Sequence, residues 1–140
     1  RHTIIDAKQI YNCLANNGIL IIEGVDKYDC WELKTLFNRG QAFTDNISIS
    51  QKDYNDLKEA GFSEINLQEI VQYEYYKTDN DLLALLLKTP ILNDFSELDT
   101  LSNTHKNQIE ADLFNKYISQ HTNDKGIELK RVLYGIVAKK

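Results

Sequence analysis

Residues 14–23 read Leu-Ala-Asn-Asn-Gly-Ile-Leu-Ile-Ile-Glu, and they set the architecture. Asn16-Asn17-Gly18 stops a helix, with Gly18 free to take a positive φ just beyond it. Ile19-Leu20-Ile21-Ile22 follows without interruption. An aliphatic run entered through a tight turn predicts a strand covered on both faces, as inside a parallel sheet. Upstream, Asp6 and Gln9 have the spacing of a capping box, and Ala7, Ile10, Tyr11, Leu14 and Ala15 share one helical face. The chain thus begins as helix, turn, strand.

Working outward, a second helix is expected over residues 30–38, capped by Asp29 with Glu32 three residues on and closed by Arg39-Gly40. Residues 41–49 form a polar loop. Ser50 and Asp53 are spaced as another capping box, for a short helix carrying Tyr54, Leu57 and Ala60 and ending at Gly61. From Glu64 the period falls to two. Ile65, Leu67, Val71, Tyr73 and Tyr75 then share one face of a long strand, with Glu69 the exception. Thr78 and Asp81 cap a helix whose Leu82, Leu83, Leu85, Leu86 and Leu87 surround it with apolar surface until Pro90 ends it.

Ser96 and Asp99 open a helical stretch to about Ser119, with Leu98, Leu101, Ile109, Leu113 and Tyr117 inward. Residues 122–126 form a turn. Residues 127–138 form a last strand with apolar residues in both phases, which places it between two others. The fold class is α/β, with a three-stranded sheet and flanking helices. The strand at Ile19 lacks a neighbour on one side.

Composition excludes several classes. The 140 residues carry no repeat, linker or internal boundary and are read as one unit over 1–140; at 42% hydrophobic they are too apolar for a disordered tail. No apolar run reaches the roughly 18 residues of a membrane span, and the first residues show no signal-peptide pattern. A net charge of −5 argues against a general nucleic-acid or membrane-surface binder. Cys13 and Cys30, with His2, His105 and His121 scattered, fit neither a disulfide framework nor a metal site. They are expected as buried free thiols in a reducing, cytoplasmic setting. The chain has no methionine and opens Arg1-His2-Thr3, so it is expected to be a piece of a longer protein.

The stretch from Ile10 to Glu23 resembles a segment of class I S-adenosylmethionine-dependent methyltransferases. There a helix ends in L-K-P-G-G and leads into the fifth strand. Ala15-Asn16-Asn17-Gly18 stands in that turn, keeping the Gly without the Lys and Pro. Trp31-Glu32-Leu33-Lys34 and the Leu-rich run closing in Lys88-Thr89-Pro90 resemble the C-terminal half of bacterial methyltransferases similar to the large-subunit rRNA guanine methyltransferases. Gly126-Ile127-Glu128-Leu129-Lys130 through Ala138-Lys139-Lys140 looks like the family's final antiparallel strand.

The resemblance implies the C-terminal half of a Rossmann-like methyltransferase fold: a mixed sheet of the fifth, sixth and seventh strands, the last antiparallel and central. It also implies S-adenosylmethionine as cofactor of the full-length parent. The family holds that cofactor through a Gly-rich loop after the first strand and an acidic residue ending the second. This chain contains no G-x-G and neither strand. No cofactor-binding or metal-binding residue is expected in it, and alone it should be inactive. Its expected partners are the missing N-terminal half, a second copy in a homodimer, and a substrate that is RNA or a small molecule; no membrane is expected.

Substrate-facing residues of such sheets lie beyond the carboxyl ends of the strands. The candidates are Glu23, Asp26, Trp31, Tyr75 and Tyr76. Glu23 and Asp26 would orient or deprotonate a substrate group, or else stand as solvated carboxylates; Asp29 is more simply an N-cap. Trp31 would stack on an aromatic substrate, or anchor its helix. Tyr73, Tyr75, Tyr76 and Lys77 would form a base-stacking patch, or pack a strand face. The leucines of residues 82–87 are a subunit interface, a substrate lid or core; Lys130 and Arg131 are strand-edge charges. The competing reading is a free-standing α/β binding or protein-interaction module. A hydrolase finds no support, since no G-x-S-x-G occurs.

Overall fold

A computed structural model describes residues 6–92 and 110–140. In chain order the elements are α1 (Ala7–Cys13), β1 (Ile19–Val25), α2 (Trp31–Phe37), α3 (Ile49–Ala60), β2 (Ser63–Tyr76) and α4 (Asp79–Lys88). A 3₁₀ turn at Pro90–Leu92, α5 (Ala111–His121), β3 (Thr122–Asn123) and β4 (Gly126–Lys139) complete it. The described sheet has the order β1-β4-β2, with β3 paired to β4. The last strand is central, as its two apolar phases predict. The sheet is antiparallel throughout rather than mixed, because β4 lies between β1 and β2 and runs against its neighbours.

The chain divides into two compact units. Of the described residues, the first contains 6–27, 45–71 and 132–140, and the second 28–44, 72–92 and 110–131. β2 and β4 contribute residues to both.

In the first unit, α1 starts where Asp6 accepts the Gln9 N–H at 2.9 Å. The left-handed residue in the turn that follows is Asn17 (φ 61), not Gly18. Glycine is needed at 18 for a different reason: a Cβ there would lie 2.8 Å from the Ala15 carbonyl oxygen. β1 then pairs with β4 from Ile19↔Lys139 to Val25↔Leu133. It is not covered on both faces. Ile22 is buried, while Ile19 and Ile21 are 61% and 68% exposed. The helices of this unit cover one side only, where Ile22, Leu57, Phe62, Tyr134, Ile136 and Ala138 form a core with Ile10, Tyr11 and Leu14 against it. α3 is capped by Ser48, whose hydroxyl accepts the Gln51 N–H, so Ser50 and Asp53 fall inside the helix and are buried. Gly61 ends it at φ 101.

In the second unit, Cys30 (φ 53) rather than Asp29 precedes α2, with no side-chain cap. Cys30 is a buried free thiol, whereas Cys13 in the first unit is exposed, since it sits on the outer face of α1. The Thr78–Asp81 capping box opens α4 with both reciprocal bonds present. Only Leu82 and Leu86 of its leucines are fully buried, packing with Leu33, Phe37, Ile91, Phe114, Tyr117 and Leu129. α5 turns inward Phe114 and Tyr117; Ser96, Leu98, Asp99, Leu101 and Ile109, together with His2 and His105, lie outside the described residues. The expected turn at 122–126 holds the two-residue strand β3.

Burial also shifts phase along both long strands. In β4, Ile127 and Leu129 are buried, then Val132, Tyr134, Ile136 and Ala138. In β2, Ile65 and Leu67 are partly covered, then Glu74 and Tyr76, which leaves Val71, Tyr73 and Tyr75 exposed. The single covered face expected for β2 is therefore two half-faces. Among the described residues no helix is long and apolar enough to cross a membrane.

Gly24 and Tyr134 face each other across the β1–β4 pair. The ring folds over the glycine so closely that a Cβ at 24 would sit 2.6 Å from ring carbons, and the hydroxyl donates to the buried Asp53 carboxylate at 2.6 Å. Gly24→Ala is expected to cost about 1–3 kcal/mol in urea denaturation. Gly135→Ala, whose Cβ would come no nearer than 4.0 Å to the Ile22 oxygen, should stay within about 0.5 kcal/mol.

Candidate functional site

β1 leads into Asp26-Lys27-Tyr28-Asp29-Cys30, where two aspartates three positions apart are both buried to 1% exposure. Their solutions to the cost of a buried charge differ. In the first unit, Asp26 accepts the Lys27 N–H at 2.6 Å, the Ile49 N–H at 3.0 Å and the Ser50 hydroxyl. Ile49 is the first residue of α3, so the carboxylate meets the positive end of that helix. The neighbouring Lys27 ammonium donates to the Asp45 carbonyl. Asp26 thus clasps residues 26–27 to α3. Glu23, two residues before the end of β1, is exposed opposite Gly135.

In the second unit, Asp29 is held by a cation. Arg131 Nε donates to it at 2.8 Å, and Arg131 Nη1 donates to both Glu74 oxygens at 3.1 Å. The Tyr76 hydroxyl donates to Glu74 at 2.7 Å, and the Cys30 thiol lies 3.5 Å from Asp29 Oδ2. Arg131 is therefore no strand-edge charge: its side chain is 15% exposed, against 1% for Asp29 and 34% for Glu74. Burial by itself would lower its pKa, but the hydrogen bond and charge of Asp29 outweigh that and raise it. Burial, reinforced by the Asp29 charge, pushes the Cys30 thiol up, and burial with the Glu74 bond pushes up the Tyr76 hydroxyl. Cys30 is a protonated, unreactive thiol.

The remaining candidates separate. Tyr75 and Tyr76 are successive strand residues and point to opposite sides. Tyr75 donates to Glu128 at 3.1 Å, with the Lys125 ammonium 5.3 Å from its ring centre; Tyr73 and Lys77 are exposed. Trp31 opens α2 half-buried between two rings, Tyr28 at 5.1 Å edge to face and Phe43 at 5.2 Å tilted by 33°. The structure therefore gathers Asp29, Cys30, Glu74, Tyr76 and Arg131 into a charge network, and Tyr28, Trp31 and Phe43 into an aromatic ladder. Sequence reasoning missed Glu74, Arg131, Tyr28 and Phe43. The one available signal was a guanidinium inside an otherwise apolar strand. Among the described residues no three His, Cys, Asp or Glu side chains group to hold a metal.

Removing the guanidinium strands a buried carboxylate. Arg131→Met is expected to cost about 3 kcal/mol by urea denaturation, and Arg131→Lys to recover only part, since an ammonium lacks the spaced planar donors by which Nε serves Asp29 and Nη1 serves Glu74. Thiol labelling of the native chain near neutral pH should modify Cys13 alone, with Cys30 reacting once urea unfolds the chain. The raised pKa values of Cys30, Tyr76 and Tyr117 mean that the folded state keeps protons the unfolded state releases. Their contribution is intact below about pH 8.5 and is lost as pH rises beyond it, so the urea midpoint should fall on the alkaline side. Compared with known proteins, the chain matches no family model and no curated protein.

Proposed function

We propose that this chain is the substrate-side portion of an S-adenosylmethionine-dependent methyltransferase. The observation that carries the proposal is the strand order β1-β4-β2, with the last strand antiparallel between two that precede it. The resemblance implies that order for the fifth, seventh and sixth strands of a Rossmann-like methyltransferase sheet. The exposed side of β1 supports it too. Ile19 and Ile21 on the edge strand, with Val137 of the neighbouring β4 paired opposite Ile21, form an exposed apolar strip.

The residues present do not fit the cofactor. No G-x-G occurs, and both carboxylates following β1 are engaged internally, Asp26 by α3 and Asp29 by Arg131. S-adenosylmethionine is therefore assigned to residues outside this chain. What the resemblance implies the chain contributes is the acceptor side, beyond the carboxyl end of β1. The same apolar strip favours a second reading, an interaction module that associates with another protein or a second copy through β1.

Two measurements test the proposal. The coding sequence upstream of Arg1 should specify a strand, a G-x-G turn and a helix; its absence overturns the proposal. In calorimetry, the full-length protein should bind S-adenosylhomocysteine and the 140-residue chain should not. Binding by the short chain, or by neither, counts against the assignment.

A further inference from the structure

We infer that residues 38–44 form a strap that opens as one unit and uncovers the Lys34 ammonium while α2 and α4 stay folded.

The strap begins where α2 ends. Asn38 takes the left-handed conformation there (φ 52), as asparagine often does beyond a helix. Gly40 follows at φ 139, with its backbone lying directly on the stem of Lys34. A Cβ at 40 would sit 2.7 Å from Lys34 Cγ and 2.4 Å from the Ile91 carbonyl oxygen, so glycine is needed for this approach. Lys34 is 1% exposed, and its ammonium donates to the Gln41 carbonyl at 2.9 Å. Main-chain atoms of the strap thus cover the stem and bind the charge of a buried lysine.

Two features raise the free energy of the closed strap. The Phe43 N–H donates to the Gly40 carbonyl at 3.1 Å and closes a four-residue turn. Its third residue, Ala42, has φ 55, a conformation that suits glycine or asparagine and strains alanine. The second feature is Gln41, 4% exposed, whose side-chain Nε2 is buried with no acceptor among the described residues. Water would satisfy that carboxamide, so opening recovers hydrogen bonds that closure forgoes.

Opening breaks the bond of the Gln41 N–H to the Ile91 carbonyl (3.1 Å), the Lys34 bond and the contact of the Phe43 ring with Trp31. None of these is a bond of a helix or of the sheet ladder, so the strap can lift without unwinding either.

Native-state hydrogen exchange tests this, read residue by residue on the whole chain below the urea midpoint. The Gln41 amide should exchange through an opening almost independent of urea, whereas the Leu86 amide should follow global unfolding. Acetylation of Lys34 by sulfosuccinimidyl acetate, followed by mass spectrometry, should show the same independence. Gln41→Met leaves the main-chain bonds in place and removes the unmatched amide, so it should slow both processes about tenfold. Ala42→Gly relieves the turn, should slow both severalfold, and serves as the second variant should Gln41→Met not fold. Gln41 exchange that tracks Leu86 at every urea concentration overturns the inference, as does Lys34 acetylation confined to the globally unfolded chain. Unchanged or faster opening in the variants overturns it as well, because the closed strap would then carry no cost for them to relieve.

Discussion

Until residues 133–139 arrive beside β1, the strand that begins the sheet has no described backbone partner, and the pairs they form lie more than a hundred positions apart. The first unit depends on this late pairing. Tyr134 covers Gly24 and reaches Asp53, Ile136 and Ala138 complete the core around Ile22 and Leu57, and the Lys140 N–H closes onto the Gly18 carbonyl at 2.9 Å. The entropy of closing so long a loop must be met before these contacts form, which makes folding slow and sensitive to loss of the C-terminus.

The aspartates at 26 and 29 show how neighbouring residues of one type take different roles. Asp26 is neutralised by dipoles: two backbone N–H groups, a hydroxyl and the start of α3. It needs no counter-charge. Asp29 is neutralised by a full charge that must come from β4, and Arg131 then has capacity left to orient Glu74, which in turn receives Tyr76. Strand-end geometry that a substrate-facing assignment would leave open is here occupied by internal bonds.

Local chemistry was legible in the sequence at several sites where the deciding partner lay within four residues, though not at Ser48, whose hydroxyl caps α3 through the Gln51 N–H. Asp6 does hold Gln9, Thr78 does close its box with Asp81, and Gly61 does end α3 in a left-handed conformation. Local patterns misled where a distant group competed for the same atoms. Arg131 binds the Asp29 carboxylate and Cys30 is the residue that precedes α2, while Ser48 caps α3 and Ser50 and Asp53 lie inside the helix, bonded to Asp26 and Tyr134. Periodicity failed differently. The two apolar phases of β4 arise from a change of buried phase along the strand, so they indicate a central strand without cover on both of its faces. Of the site, Trp31 and Tyr76 were visible as residue types, but not what surrounds them.

By itself, the sequence determined the types and order of the longer described elements, the caps of α1 and α4, the central place of the last strand and the exclusion of a membrane-spanning helix among the described elements. These follow from composition, spacing and hydrogen bonds between near neighbours. Tertiary structure alone decided which carboxylates are free, which face of β1 is bare, and that Tyr28, Trp31 and Phe43 form one series. Such outcomes depend on which distant donor reaches an atom first and which surface a helix happens to cover, and no local pattern encodes either.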